Sequence, residues 1–156
     1  MTMDRKEILK SLRINHIFSL LASLLVIVAF ETGVLAKGAL AVVVPDGGVY
    51  VIQVVAVMLT VLLVPLAIKG FSSSLGKAKG LGEEEFLKLF TKKSMQRIFL
   101  LFIALLLNAF VYYGVGYEGS LYCGLLSLCA LIYSFPTRNV LEECLEKNNG
   151  AGNVKK

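Results

Sequence analysis

The sequence has few charged residues for its length, and it contains no tryptophan. Hydrophobic residues make up 56% of its 156 residues and charged residues 17%, whereas soluble domains have about 45–50% and about 25%. Residues 49–68 and 98–116 carry no charge at all. About 20 consecutive apolar residues cross a hydrocarbon core about 30 Å thick. The lack of charge therefore argues against a soluble domain and predicts membrane-spanning helices.

The sequence is also poor in the residues that build metal centres and catalytic sites. It has one histidine, His16, at the predicted cytoplasmic boundary of the membrane, and three cysteines without a Cys-x-x-Cys pair. Cys123 and Cys129 lie about 9 Å apart along a helix, too far to form a disulfide. Residues 76–82 are glycine-rich but lack the ending of a phosphate-binding loop. We expect no metal, no cofactor and no enzymatic activity, and we recognise no family motif.

The net charge of +5 does not predict nucleic-acid binding. A nucleic-acid surface carries its basic residues as a patch or stripe, whereas these flank the apolar segments. We predict that they contact the anionic headgroups of the lipid bilayer at its cytoplasmic face, and we expect no nucleic-acid partner.

The apolar segments predict an all-α integral membrane protein with four antiparallel transmembrane helices. The spans are predicted at about residues 14–36, 49–68, 98–116 and 120–135. Residues 1–147 form a single transmembrane bundle in this interpretation, and residues 148–156 form a disordered tail. Residues 69–97 are a cytoplasmic loop that includes a short surface helix, and amphipathic helices precede the first span and follow Pro136.

The basic residues also predict the orientation. All sixteen Lys and Arg residues but one, Lys37, lie in residues 1–13, 69–97 and 137–156. An excess of basic residues in short loops marks the cytoplasmic side, so both termini are predicted to be cytoplasmic and the protein to lie in the plasma (inner) membrane. Five of the six tyrosines then fall near the outer interface, as in an aromatic belt.

One alternative concerns the amino-terminal segment. Residues 39–41 have the small-x-small form of a signal-peptidase site, so residues 1–41 could be a cleaved signal. Asp4 and Glu7 in the leader, the long apolar run and its distance from the cleavage site favour a retained helix. The charge bias is compatible with both alternatives.

Small and polar residues recur at helical spacing along each predicted span. Such residues let helices approach closely in lipid and hydrogen-bond across the contact. We therefore predict that they form the packing seams of the bundle, with the larger apolar residues facing lipid. Representative members of the four seams are Ser19, Ser23, Ala56, Thr60, Ala104, Asn108, Ser120, Gly124, Ser127 and Ala130.

Seven polar residues form the candidate site, because their predicted depths match. Near the outer third of the spans lie Glu31, Gln53, Tyr112 and Cys123, and near the midplane lie Thr60, Asn108 and Ser127. Together they would line a polar pocket that opens to the outside. Glu31 is the only acidic residue inside a predicted span, where ionisable groups are candidates for function, although near the interface it could also reach water.

Two functions are compatible with these observations. The first is a small bacterial-type inner-membrane protein that acts without enzymatic activity, as a homo-oligomer or with a membrane-protein partner. If this function is correct, the interior polar residues should be packed against each other without water between them. The alternative is a small transporter or binder of a lipid or cationic solute that uses Glu31, Gln53 and Asn108. It expects a cavity that reaches these residues.

Overall fold

The fold is described from a computed structural model, which covers residues 5–78 and 81–153. This part of the chain is 87% helical and contains no strand. The all-helical prediction is confirmed. The helices are α1 (Arg5–Glu31), α2 (Ala39–Val43), α3 (Asp46–Lys77), α4 (Glu83–Val115), α5 (Glu118–Tyr133) and α6 (Arg138–Asn153).

Three of the helices are long and apolar enough to cross a membrane, namely α1, residues 47–77 of α3, and α4. With 16 residues, α5 spans about 24 Å, less than a hydrocarbon core about 30 Å thick. It reaches the required length only together with residues 138–148 of α6, from which it is bent by 68°. The chain thus has three helices that can span a membrane, or four if this bent pair is one span.

The long segment predicted as a cytoplasmic loop is mostly helical. Of residues 69–97, the first nine continue α3 to Lys77 and the last fifteen belong to α4, which begins at Glu83. At 32 and 33 residues, α3 and α4 are about 48 and 50 Å long and must extend beyond the hydrocarbon core. The surface helix expected in this segment is present as the first part of α4, but the stretch before it is also helical and continues α3, because apolar residues here, such as Phe71 and Phe90, are buried.

The first span is shorter at its outer end and longer at its inner end than predicted. α1 runs without a break from Arg5 and ends at Glu31, whereas the span was predicted to reach residue 36. Gly33 and Gly38 have positive φ values of 78° and 76°, a conformation that suits glycine and interrupts a helix. The loop between them docks on α4, where Gly38 N–H donates to the Tyr113 carbonyl at 2.8 Å.

The carboxyl-terminal segment is helical further than predicted. The disordered tail was expected from residue 148, but α6 continues to Asn153, and residues 154–156 lie outside the described part. Asn148 is 3% exposed, and its side-chain amide donates to the Leu81 carbonyl at 3.0 Å. This bond to the start of the α4 segment holds the helix against the bundle.

The helices pack around α4, which contacts α1, α3 and α5, while α3 and α5 also contact each other. The packing combines large apolar residues at the surface with small polar residues among those that are buried. Phe18 and Leu25 are each 69% exposed, whereas Asn108 and Ser127 are fully buried. Large apolar residues outside and small polar residues inside are what packing in lipid requires. The predicted seams are confirmed at Ser23, Ala56, Thr60, Ala104, Ser120 and Ala130, which are also buried. Gly33, which the first seam was predicted to include, is exposed in the loop after α1.

The buried apolar residues form two separate clusters. The first, the span cluster, joins α3, α4 and α5 and consists of Val64, Ala67, Ile98, Leu101, Leu105, Ala130 and Leu131. The second, the basal cluster, joins the basic ends of α1, α3 and α4 with α6 and consists of Ile8, Leu9, Leu12, Phe71, Ala78, Phe86, Leu87, Phe90, Leu141 and Leu145. The basal cluster explains why the helices continue past the charge-free segments.

Candidate functional site

The interior of the bundle contains a hydrogen bond between two seams, from Asn108 on α4 to Thr60 on α3. The Asn108 amide nitrogen donates to Thr60 Oγ1 at 2.6 Å and to the Ala104 carbonyl at 2.7 Å. Thr60 Oγ1 in turn donates to the Ala56 carbonyl at 2.9 Å. All three side chains concerned, Asn108, Thr60 and Ala104, are at most 2% exposed. Two of the three predicted midplane residues, Thr60 and Asn108, therefore meet, and both side chains are buried.

Asn108 also lines a cavity that lies between α1, α4 and α5. Its volume is about 140 Å³. The walls are mostly apolar, with four polar side chains. They comprise Ile27, Leu105, Asn108, Ala109, Tyr112, Tyr113, Ser120, Leu121, Gly124, Leu125 and Leu128. We call this space the outer cavity, because Tyr112 and Tyr113 place it towards the end of α4 that is predicted to face outside.

Two polar atoms in the wall of the outer cavity are buried without a partner. Asn108 Oδ1 and Ser120 Oγ belong to side chains that are 0% exposed, and neither atom has a hydrogen-bond partner in the part of the chain that the structure describes. Buried polar atoms are paired in the large majority of cases, because an unmade hydrogen bond costs about 1–3 kcal/mol. Both residues line the cavity, but the two atoms themselves are closed off from it, since each has almost no accessible surface.

The orientation of the Asn108 amide follows from its neighbours. The Ala104 carbonyl can only accept, so the group beside it at 2.7 Å must be the nitrogen. Rotating the amide by 180° would place Asn108 Oδ1 beside the Ala104 carbonyl oxygen, and two acceptors do not hydrogen-bond to each other. The remaining atom, Oδ1, is an acceptor only, and any partner must bring an N–H or O–H group.

Glu31 lies at the outer end of α1, outside the outer cavity. Its carboxylate accepts from Lys37 Nζ at 2.8 Å and from the Tyr113 hydroxyl at 2.7 Å, and its side chain is 55% exposed. The Tyr113 ring stacks on Phe30 at 4.7 Å between centroids and lies under the Lys37 ammonium at 5.4 Å. Glu31 is thus a paired surface carboxylate, connected to the outer cavity only through Tyr113.

The other three residues of the candidate pocket do not line the outer cavity. Ser127 is fully buried and donates to the Cys123 carbonyl on its own helix at 2.9 Å. Cys123 and Gln53 are partly exposed on α5 and α3. Depth alone placed these side chains together, but residues at equal depth point in different directions around their helices. Of the seven predicted residues, the structure brings Asn108 and Tyr112 to the cavity and Thr60 behind it.

Sequence reasoning missed Ser120 and Tyr113 as site residues. Ser120 was assigned to a packing seam, and its i+4 spacing to Gly124 was the available signal. Gly124 faces α4, but a Cβ there would lie 3.6 Å from Asn108 Cβ, an ordinary contact distance, so the packing does not require glycine at this position. No sequence pattern distinguishes a seam serine that is bonded from one that is not.

A second polar region, the inner polar layer, separates the basal cluster from the span cluster. It consists of His16, Ser94, Arg97 and Ser134. His16 was expected at the cytoplasmic boundary of the membrane; it is 0% exposed, and no described group hydrogen-bonds to either ring nitrogen. Its ring contacts Phe135 edge-on at 5.2 Å. Phe135 lies in the loop after α5, and nothing in the sequence predicts that this loop packs on His16.

Arg97 connects the inner polar layer to the end of α5. Its guanidinium donates to the Ser134 carbonyl at 2.9 Å and lies over the Phe71 ring, 4.1 Å from the centroid. Arg13 reaches the same turn, with Nε donating to the Pro136 carbonyl at 3.3 Å. The carbonyls at a helix carboxyl end are unpaired and carry partial negative charge. The two arginines therefore stabilise the sharp turn between α5 and α6.

A second opening is larger but has fewer features that suggest a binding site for a small polar molecule. A groove of about 380 Å³ between α1 and α4 is lined by Asn15, Phe18, Ser19, Met95, Gln96, Ile98 and Phe99. It is larger than the outer cavity, but none of these residues has a buried polar atom without a partner. Within residues 5–78 and 81–153, no group of three or more His, Cys, Asp and Glu side chains could hold a metal ion.

The chain matches no protein-family model, no curated protein and no solved structure.

Proposed function

We propose that this protein is a non-enzymatic membrane module of the plasma (inner) membrane type, which acts as a homo-oligomer or as an accessory subunit of a membrane complex. The observation that carries the proposal is the combination of large apolar residues at the surface with buried polar residues inside the bundle. Asn108 and Thr60 pair in its interior, while residues such as Phe18 and Leu62 are 69% and 64% exposed. Three or four helices have the length and apolarity to span a membrane.

The proposed orientation places both termini in the cytoplasm. Its support is the charge bias, together with the basal cluster, which lies at the basic ends of α1, α3 and α4. Reporter fusions after Asp46 and Glu118 are expected to read outside, and fusions after Gly80 and Gly150 to read cytoplasm. A cytoplasmic reading at Asp46 would exclude this orientation.

α1 is proposed to be retained and not cleaved as a signal. It contributes Leu9 and Leu12 to the basal cluster and Ile27 to the outer cavity, so its removal would expose both. Mass spectrometry of the purified protein is expected to find an amino terminus before Arg5. An amino terminus near residue 42 would identify a cleaved signal.

The assembly itself is tested by native mass spectrometry of the full chain in lipid nanodiscs. We expect a defined homo-oligomer, or one additional membrane protein in fixed stoichiometry. Membranes from cells that express the affinity tag alone are the control for adventitious proteins. A strictly monomeric protein without a stoichiometric partner would overturn the proposal.

The alternative, transport of a cationic solute by Glu31, Gln53 and Asn108, has less support. Glu31 already pairs with Lys37 at 2.8 Å, and neither Glu31 nor Gln53 lines the cavity that Asn108 lines. Transport would require these groups to act at one site. Uptake of a cation by proteoliposomes that is abolished by Glu31→Gln, and not by Glu118→Gln, would favour this alternative.

A further inference from the structure

We propose that the groove of about 380 Å³ between α1 and α4, which we call the lateral groove, binds one anionic phospholipid of the cytoplasmic leaflet. An acyl chain would lie in the groove, and the phosphate would bind to lysines near the start of α4. This inference goes beyond the proposed function, because a membrane module needs no particular lipid to assemble. It also assigns a defined site, whereas the basic segments as a whole predict only a general attraction to anionic headgroups.

The two helices that form the lateral groove run side by side in the same direction. Arg5 pairs with Glu83 near their first residues, and the Phe30 ring stacks on the Tyr113 ring near their last residues. Their basic ends therefore lie together at one side of the membrane, and the groove between them runs along the membrane normal.

The lining of the lateral groove changes from polar to apolar towards the middle of the bundle. Asn15 and Gln96 line it about one turn nearer the basic ends than Phe18 and Phe99 do. Ser19 also lines the groove, but its hydroxyl is bonded to the Asn15 carbonyl at 2.9 Å. A polar end followed by an apolar stretch matches the order of the headgroup and the acyl chain in a phospholipid.

Three lysines give the polar end of the groove its positive charge. Lys93 Nζ donates to Gln96 Oε1 at 3.3 Å, so this ammonium group lies beside the lining. Lys92 and Lys88 lie one and two turns before Gln96 on the same face of α4. Both side chains are exposed, and neither forms an ion pair with a residue that the structure describes. The positive charge at this end is therefore available to a phosphate.

The charges around the groove select an anionic headgroup. A zwitterionic headgroup has an ammonium group of its own, which the lysines of α4 repel. On the α1 side, Glu7 and Lys10 line a shallow opening that shares Asn15 with the groove, and their opposite charges offset each other. The Gln96 oxygen accepts from Lys93, because an ammonium group can only donate, so the Gln96 NH₂ group is left to donate to a phosphate oxygen.

The depth of the lysines matches the level of lipid phosphates. Ile98 lines the groove and begins the charge-free segment 98–116, which is expected to lie in the hydrocarbon core. Lys93 lies about 7–8 Å before Ile98 along the helix, and the headgroup region is about 5–8 Å thick on each side of a bilayer. An acyl chain in the groove thus leaves its phosphate at the level of Lys92 and Lys93.

The size of the groove and its charge favour a lipid over other occupants. An engineered cavity of about 150 Å³ in another protein holds one benzene molecule, so a groove of about 380 Å³ has room for part of an acyl chain. A second copy of the chain at the same depth would bring the same lysines close to this groove, and like charges oppose such an association.

The test measures relative lipid binding at a tryptophan placed in the groove. The chain contains no tryptophan, so Phe99→Trp introduces a single fluorescent reporter in the lining. The full chain is reconstituted in nanodiscs of phosphatidylcholine and phosphatidylglycerol, each in turn with brominated acyl chains, which quench tryptophan on contact. Both leaflets have the same composition, so the result does not depend on orientation. We expect phosphatidylglycerol to bind about fivefold more tightly, as one close contact between a lysine and an anionic headgroup predicts.

Matched controls locate the contact. Leu66→Trp places the reporter on α3, where Leu66 is 59% exposed and Phe99 on α4 is 60% exposed, and Leu66 lies one turn from Lys69. Its preference for phosphatidylglycerol should stay near one. In the Phe99→Trp chain, the pair Lys92→Gln and Lys93→Gln should lower the preference to less than twofold, whereas Lys69→Gln should leave it unchanged. These lysines are at the surface, so their replacement should not affect folding.

Three outcomes would overturn the proposal. Equal preferences at the two reporters would show a general attraction of the cytoplasmic face and no defined site. A preference that survives the double lysine substitution would refute the assigned phosphate contact. Weak quenching by both lipids in Phe99→Trp, but not in Leu66→Trp, would show that a second copy or another protein covers the groove. None of these outcomes depends on the oligomeric state that native mass spectrometry measures, so failure here leaves the proposed function standing.

Discussion

Replacing Asn108 with leucine tests whether the hydrogen bond between α3 and α4 stabilises the bundle. The substitution keeps the approximate volume of the side chain and removes both donations, to Thr60 Oγ1 at 2.6 Å and to the Ala104 carbonyl at 2.7 Å. It leaves the bond from Thr60 to the Ala56 carbonyl in place. Only one of the lost bonds joins two helices.

The expected loss is therefore small. Polar contacts between helices in a bilayer contribute about 0.6 kcal/mol on average and at most about 1.7 kcal/mol. Leucine also removes the buried Oδ1 atom that has no partner, and this removal offsets part of the loss, because burying an unpaired polar atom is unfavourable. We expect the free energy of unfolding to fall by about 0.5–1 kcal/mol.

A double-mutant cycle isolates the bond from these side effects. The single variants Asn108→Leu and Thr60→Val and their combination are unfolded by SDS titration in mixed micelles. The coupling energy should be about 0.6–1.7 kcal/mol. Thr91→Val is the control, because it makes the same chemical change at a hydroxyl that bonds within α4, about 25 Å from Asn108 along the helix.

A coupling energy of zero between positions 108 and 60 would refute the reasoning. It would mean that the 2.6 Å hydrogen bond from Asn108 to Thr60 does not stabilise the folded bundle, because the two side chains bond equally well to other partners when the helices are separated. A coupling of equal size to position 91 would show instead that the variants disturb the bundle as a whole.

Three further predictions concern the inner polar layer and the outer end of α1. His16→Met should leave the free energy of unfolding unchanged or raise it by up to about 1–2 kcal/mol, because it removes two buried nitrogens without a described partner; a loss in SDS titration would show that the ring is paired. Arg97→Met should lower the free energy of unfolding by about 1–3 kcal/mol, because it removes a charged hydrogen bond to the Ser134 carbonyl and a contact with the Phe71 ring. This loss should be larger than the loss in Arg13→Met, and an equal or smaller loss would contradict the prediction. Glu31→Gln should leave the melting temperature unchanged, because exposed ion pairs contribute little; clear destabilisation would show that the ion pair with Lys37 holds the loop after α1.

The candidate site was only partly accessible from the sequence. The spacing of Thr60 and Asn108 along their helices predicted buried, paired residues, and they are hydrogen-bonded to each other. Equal depth in the membrane was a weaker guide, since Gln53 and Cys123 do not line the cavity with Asn108. Depth depends on the rise per residue, but direction depends on how each helix is rotated about its axis, and only packing sets that rotation.

The sequence by itself determined that this protein is helical, that it has several helices apolar enough to span a membrane, and that small residues such as Thr60 and Ala104 are buried. These properties depend on local features, namely the length of apolar segments and the spacing of small residues along one helix. They required no knowledge of how the helices are arranged.

Only the tertiary structure decided which polar groups are paired. His16 is buried because the turn after α5 packs on it. Thr60 and Ala104 fix the orientation of the Asn108 amide by bonding to its nitrogen, and no described residue bonds to its oxygen. A hydrogen bond between helices depends on atoms that lie far apart in sequence and must meet within about 3 Å. The pattern along any one helix contains no information at that precision.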